Sequence, residues 1–192
     1  MEMQVRSSIQ NLVLAFRADV TDGQVQKYKE TKYIDYSFSP VTEQSSVCNY
    51  RGKHMDNMNV LGAGCYSAAI PHPDEDKVVK VWLNGVDGAW YYISKCWQLQ
   101  GTGEEQEWMP VIYELGMCMG KPYAVLEKLV PYHQTETIGQ FFYNVWEDLF
   151  MEQFGFYPND IHSGNVMYRR VVSPDGKLTE VGVITDPVTE WE

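Results

Sequence analysis

The 192 residues are 44% hydrophobic, and thirteen Tyr, seven Phe and six Trp among them exclude an intrinsically disordered chain. That length suits one domain, or one domain with an appendage. A formal net charge of −11 argues against direct binding of nucleic acid, which needs clustered Lys and Arg, and fits a protein that meets basic protein surfaces. The acids are spread along the chain apart from short runs at 74–76 and 104–107, which speaks against a DNA-mimic surface. Cys48, Cys65, Cys96 and Cys118 form no C-x-x-C pair and have no His spacing suited to zinc. With no signal peptide and no apolar run long enough to span a bilayer, they point to a reducing cytoplasm.

In chain order, residues 1–57 read as an N-terminal helical and irregular cap. Ser8 is placed to cap a helix whose apolar positions Ile9, Leu12, Val13 and Phe16 recur at helical spacing, and Thr21-Asp22-Gly23 breaks it. A second helical stretch is expected over Val25–Tyr33, and loop over Ser37–Met58.

Residues 58–130 read as a small lobe built on an antiparallel sheet. Val60-Leu61-Gly62-Ala63-Gly64-Cys65-Tyr66-Ser67-Ala68-Ala69 is glycine-rich, and Gly62 and Gly64 leave the backbone free to approach phosphates. Ser67 stands where a third glycine is usual, and Tyr66 is expected at the loop tip. The following Pro71-His72-Pro73-Asp74-Glu75-Asp76 is a turn that no helix crosses. Lys77-Val78-Val79-Lys80-Val81-Trp82 is then a strand by its β-branched content. A glycine-rich loop between two strands is a kinase arrangement, whereas a dinucleotide fingerprint opens a helix. Lys80 takes the role of the strand lysine that pairs with phosphates, and Ala69 and Val78, on its face, would roof an adenine.

Trp82–Gly101 reads as a helix with Ala89, Tyr92, Ile93, Cys96 and Leu99 on one face, and 102–106 as a polar loop. Val111–Met117 and Tyr123–Glu127, joined by Gly120-Lys121-Pro122, read as two further strands. Leu126 falls at the gatekeeper position, and Glu127 to Val130, Leu129 included, form the hinge whose backbone meets the adenine edge.

Residues 131–192 read as a truncated helical lobe. Thr137–Phe154 is an amphipathic helix through Phe141, Val145, Leu149 and Phe150. It leads into Asp160-Ile161-His162-Ser163-Gly164-Asn165 and then, past a hairpin turning at Ser173-Pro174-Asp175-Gly176, into Ile184-Thr185-Asp186-Pro187. An Asp, an Asn and a second Asp in this order form the catalytic floor of kinase-like folds. Asp160 orients or deprotonates the attacking hydroxyl. Asn165 and Asp186 are hard oxygen donors placed to hold Mg²⁺ or Mn²⁺ on ATP. His162 stands where protein kinases often have a lysine for the γ-phosphate. It reads equally as a phosphate contact or as a histidine that holds the loop by hydrogen bonds.

Taken together, Leu61-Gly62-x-Gly64-x-Tyr66-Ser67-Ala68-Ala69, His72-Pro73, Val79-Lys80-Val81, His162-Ser163-Gly164-Asn165 and Ile184-Thr185-Asp186-Pro187-Val188 resemble the early serine/threonine protein kinase of T-seven-like lytic bacteriophages. The resemblance spans roughly residues 58–190. It implies an α+β, minimal protein-kinase-like fold, ATP and Mg²⁺ as nucleotide and metal, and action in the cytoplasm of the infected bacterial host. It also implies host proteins as substrates, among them transcription and RNA-processing machinery such as RNA polymerase. The basic C-terminal extension that helps family members shut off host transcription has no counterpart here, and that activity is not carried over.

Three departures bear on this. Pro187-Val188 replaces the Phe-Gly that usually follows the metal-binding Asp. Between Trp82 and Gly103 the only acid is Asp87, so Lys80 lacks the usual helix glutamate. Asp87 sits where it would cap that helix, and Asp186 is the expected partner of Lys80. Only six residues follow Asp186, which implies substrate recognition through the N-terminal segment, the 137–154 helix or a partner. The last two departures also suit a catalytically weak kinase-fold protein that inhibits a host enzyme by docking. A small-molecule phosphotransferase, suggested by His162 and Gly164, generally needs a helical lobe around its substrate.

Overall fold

The computed structural model describes residues 1–21, 54–64, 66–131, 150–155 and 165–187. The second helical stretch, most of the following loop, the start of the 137–154 helix, Asp160 and His162 lie outside them. The described chain is α+β: helix α1 (Glu2–Thr21), strands β1 (Gly62–Ala63), β2 (Ser67–Pro71) and β3 (Lys77–Trp82), helix α2 (Gly88–Leu99), then β4 (Ile112–Cys118), β5 (Lys121–Glu127), β6 (Val130–Pro131), β7 (Val166–Val172) and β8 (Leu178–Ile184). An antiparallel sheet of five strands has the order β1-β2-β3-β5-β4, and a second of three has the order β6-β7-β8. Two compact units result: Met1–Gly85 with Gly116–Val125, and Val86–Leu115 with Leu126–Glu192.

In the first unit the α1 stripe of Val5, Ile9, Leu12, Val13 and Phe16 meets the sheet face formed by Ala68, Ile70, Val79 and Val81, with Met55, Tyr123 and Val125 closing the core. Alternation along β2 and β3 accounts for this, because every second side chain points to the same face. The helix begins at Glu2, so Ser8 lies within its second turn and is not its cap. It runs to Thr21, the last described residue of this stretch, and the expected Asp22-Gly23 break lies outside the described residues. Asp19 lies on its buried stripe, fully enclosed, and its carboxylate accepts the backbone N–H groups of His54 (2.9 Å) and Met55 (3.0 Å). Those bonds offset the cost of burying a carboxylate beside the negative end of the helix dipole.

The β4–β5 hairpin turns on Met119 and Gly120, both at positive φ (51° and 74°), the two-residue turn that matches strand twist. Lys121 and Pro122, expected in the connection, therefore open β5. Gly116 of β4 is required by packing: a Cβ there would stand 2.6 Å from the buried Tyr123 ring.

In the second unit α2 buries Gly88, Ala89, Tyr92, Ile93, Cys96 and Leu99. Asp87 caps it, its carboxylate accepting the Trp90 N–H at 3.2 Å, which explains why the helix starts six residues after the expected Trp82. Beyond residue 131 the described chain is mainly β: β7 and β8 with β6, and helix only at 150–154, so the expected helical lobe is found there in part. Tyr92, Trp108, Phe150 and Phe154 form an aromatic core with ring centroids 5.0–5.9 Å apart. Among the described residues no helix is long and apolar enough to cross a membrane.

Candidate active site

Each unit carries part of the residue set singled out in the sequence. In the first, the Pro71–Asp76 turn folds β2 back on β3: the His72 Nδ1 accepts the Asp74 N–H (2.9 Å), and the Asp74 carboxylate takes the Asp76 N–H (3.1 Å) and the Lys77 ammonium (2.8 Å). The Lys77 bond is the main cause holding the Asp74 carboxyl below its ordinary range. The resulting register sets Ala69 opposite Lys80 and Pro71 opposite Val78. Facing residues of an antiparallel pair share a side, so Ala69, Val78 and Lys80 lie together on the face turned away from α1. The Lys80 ammonium lies over the Trp82 ring, 5.2 Å from its centroid.

The glycine-rich segment is a short hairpin. Leu61 N–H donates to Ala69 (2.8 Å) and Gly64 N–H to Ser67 (2.8 Å). Neither Gly62 nor Gly64 has positive φ, and a Cβ on either would meet no described atom within 4 Å. The described fold therefore gives no steric reason for either glycine. Tyr66 lies in the turn between the paired Gly64 and Ser67, and its carbonyl accepts Leu83 N–H (2.8 Å) and Asn84 N–H (3.2 Å), which ties the loop to the exit of β3. Ser67 is buried at the start of β2, facing Trp82.

In the second unit the β7–β8 hairpin turns at Ser173–Lys177, where Ser173 N–H donates to the Lys177 carbonyl (2.9 Å) and Gly176 N–H to Ser173 (2.8 Å). From that turn the register runs back to Val166 opposite Ile184. Beyond this pair Thr185 donates both its N–H (2.8 Å) and its Oγ1 hydroxyl (3.0 Å) to the Asn165 carbonyl. Asn165 and Asp186 are thus held at one end of one hairpin, both partly exposed. Among the described residues no group of three or more His, Cys, Asp or Glu is placed to hold a metal ion. An Asn–Asp pair completed by nucleotide phosphates and water needs no such group and suits Mg²⁺, which is held by few protein oxygens.

Of the expected hinge, Leu126 is buried and Leu129 half-buried. Glu127 has a structural role that the sequence did not disclose. Its N–H donates to the Val111 carbonyl (3.0 Å), and its carboxylate accepts Val111 N–H (2.8 Å) and both Nε (2.8 Å) and Nη2 (2.6 Å) of Arg169. Arg169 also donates to the carbonyls of Glu107 (2.9 Å) and Met109 (2.8 Å), and its bond to Glu127 holds the guanidinium above its ordinary pKa. Arg169 and Val111 line a cavity of about 200 Å³ with Cys96, Gln100 and Met109.

Two further residues escaped the sequence reading. Tyr92, fully buried on α2, donates its hydroxyl to the Ile184 carbonyl at 3.0 Å. Asp19 would have been legible as a lone acid on an apolar helix stripe. Tyr92 carried no such mark, because a tyrosine on a buried stripe looks like any core aromatic. No protein-family model, curated protein or solved structure matches this chain.

Proposed function

We propose that this chain is a phage-encoded serine/threonine protein kinase of minimal kinase-like fold, which transfers the γ-phosphate of ATP to host bacterial proteins during host takeover. The observation that carries this reading is the β7–β8 hairpin, whose register and Thr185 bonds bring Asn165 and Asp186 to one end although 20 residues separate them. Three features support it: the strand order β1-β2-β3-β5-β4 with a helix between β3 and β4, Lys80 sharing a face with Ala69 and Val78, and two glycines that the described packing does not require.

On this reading Lys80 pairs with the phosphates and Ala69, Val78 and Leu126 border the adenine. Asp160 takes the proton of the attacking seryl or threonyl hydroxyl as its oxygen bonds to the γ-phosphorus. The bond from that phosphorus to the β–γ bridging oxygen breaks, and ADP leaves. Asn165 and Asp186 would hold Mg²⁺, which when bound offsets the charge on the transferring group. Transcription and RNA-processing proteins are the substrates the resemblance implies.

The test is incubation of purified protein with γ-labelled ATP, Mg²⁺ and bacterial lysate, comparing wild type with Asp160→Ala. Label in host proteins from the wild type alone is the expected result. Equal labelling, or none, would remove the assignment. The absence of any acid in α2 favours a second reading, a kinase-fold protein that inhibits a host enzyme by docking. It predicts ATP binding and host-protein capture without label transfer.

A further inference from the structure

Among the described strands β8 is an edge of the three-stranded sheet, with β7 on one side of it. At Ile184, the last ladder residue, the N–H and C=O point outward from β7, because the hydrogen-bonded pair is the next one, Asn165 with Thr185. Unpaired edge groups ordinarily take water. Here both are taken by the protein: Ile184 N–H donates to the Trp108 carbonyl (2.9 Å), and Ile184 C=O accepts the Tyr92 hydroxyl (3.0 Å). The peptide immediately preceding Thr185-Asp186 is therefore gripped from outside, while Thr185 grips Asn165 from inside with its N–H and Oγ1.

The donor is rigid. Tyr92 is fully buried and its ring is packed against Phe150 (5.6 Å) and Phe154 (5.3 Å), so its hydroxyl cannot follow a displaced carbonyl. A buried tyrosine needs some acceptor, but the acceptor here is the backbone two residues before a candidate cation ligand. Helix α2 has no acid with which to reach Lys80. Through the Tyr92 hydroxyl it reaches the peptide that precedes Thr185-Asp186.

We propose that Tyr92 is a positioning residue for the cation site, its hydroxyl fixing the Ile184 peptide, and with the Thr185 clasp on Asn165 the spacing between Asn165 and Asp186, so that α2 sets the geometry of the metal ligands. The proposal rests on the reading of Asp186 as a metal ligand. Groups that orient a metal ligand without touching the metal typically alter affinity by about 10- to 100-fold when lost.

The test is titration of the full chain with Mn²⁺ in the presence of ADP, followed by electron paramagnetic resonance, for wild type, Tyr92→Phe, Thr185→Val and Asp186→Asn. ADP affinity without metal is measured alongside. Tyr92→Phe is expected to weaken Mn²⁺ binding about tenfold, with metal-free ADP affinity unchanged, and Thr185→Val to act in the same direction. In a variant that folds, a fall of Mn²⁺ and metal-free ADP affinity together would mark a general loosening of the site and count against the proposal. If Asp186→Asn abolishes Mn²⁺ binding while Tyr92→Phe and Thr185→Val match wild type, the positioning role is overturned and the cation site stands. If Asp186→Asn binds Mn²⁺ as wild type does, the cation site falls and the proposal with it. Should Tyr92→Phe not fold, the Thr185→Val arm decides, because that side chain is only partly buried and its loss leaves the N–H bond to Asn165 in place.

Discussion

Three glycines of the first unit separate what packing requires from what a ligand would require. A methyl group at Gly116 would collide with the Tyr123 ring, which is itself 2% exposed and cannot swing into solvent. Gly116→Ala is therefore expected to destabilise the protein by about 1–3 kcal/mol, read from the urea midpoint. Gly62→Ala and Gly64→Ala meet no described atom and no positive φ, so the same measurement should move by less than about 0.5 kcal/mol. On the proposed function these two changes should nonetheless weaken ATP binding, since the backbone must lie close to the phosphates. A large stability loss with unchanged nucleotide affinity would make them structural. Lys80→Met belongs to the same comparison. Its side chain is half-buried on the face away from the α1 core, so the fold should survive while phosphotransfer is nearly abolished. Full activity in Lys80→Met with loss in Lys77→Met would contradict the register that pairs Lys80 with Ala69.

At the scale of elements, what the sequence disclosed was local chemistry, and what it concealed was long-range pairing. The β2–β3 and β7–β8 hairpins were legible because Pro-rich and Ser-Pro-Asp-Gly turns separate strands of matching length. Once the turn is known, the period of two fixes which residues share a face. Helix α2 was legible from its apolar stripe and its cap from Asp87, whose carboxylate does accept the Trp90 N–H, although the stripe alone carries the helix back to Trp82, six residues before its start. Asp87→Ala should therefore cost about 1 kcal/mol in denaturation, whereas Asp87→Asn should stay close to wild type in stability and activity. The Glu127–Arg169 bridge joins residues 42 positions apart, and Asp19 finds its N–H partners 35 and 36 positions away; nothing near either residue announces the partner. Glu127 follows the gatekeeper position, and its sequence context does not announce that its carboxylate and N–H serve Arg169 and Val111. Arg169→Ala would leave that carboxylate, its side chain 11% exposed, without its guanidinium. A loss of about 3 kcal/mol follows, and Arg169→Lys should recover only part of it because one ammonium cannot replace a bidentate fork. Equal stability of Arg169→Ala and wild type would show the bridge to be dispensable.

For the whole molecule, the titrating groups that burial perturbs most visibly lie together in the second unit and set how the protein meets alkali. Burial pushes the Cys96 thiol up from about 9 to about 12, and burial also drives the Tyr92 phenol well above its ordinary value of 10.0. Both groups are neutral in the folded protein at neutral pH, and both ionise more easily once unfolded. Above pH 9 the unfolded chain therefore releases protons that the folded protein retains, so ∂ΔG/∂pH is negative and stability falls as pH rises. The contribution is whole below about pH 9 and is lost progressively towards about pH 12 for Cys96, at up to about 1.4 kcal/mol per pH unit for each group while only its unfolded form is ionised. The acid side behaves differently. Asp74, Glu105 and Asp175, held below the ordinary carboxylate range chiefly by hydrogen bonds from Lys77, backbone N–H groups and Ser173 respectively, lose their stabilising effect as pH falls through that range, but Glu105 and Asp175 are exposed and Asp74 is only half-buried, so the slope there is shallow. Urea midpoints measured from neutral pH upward should thus fall steeply above pH 9. Cys96→Ala should start from a lower stability yet fall less steeply, because it removes one of the retained protons. A wild-type stability that stays level through that range, or a Cys96→Ala slope equal to the wild-type slope, would show that the thiol is not held neutral by the fold.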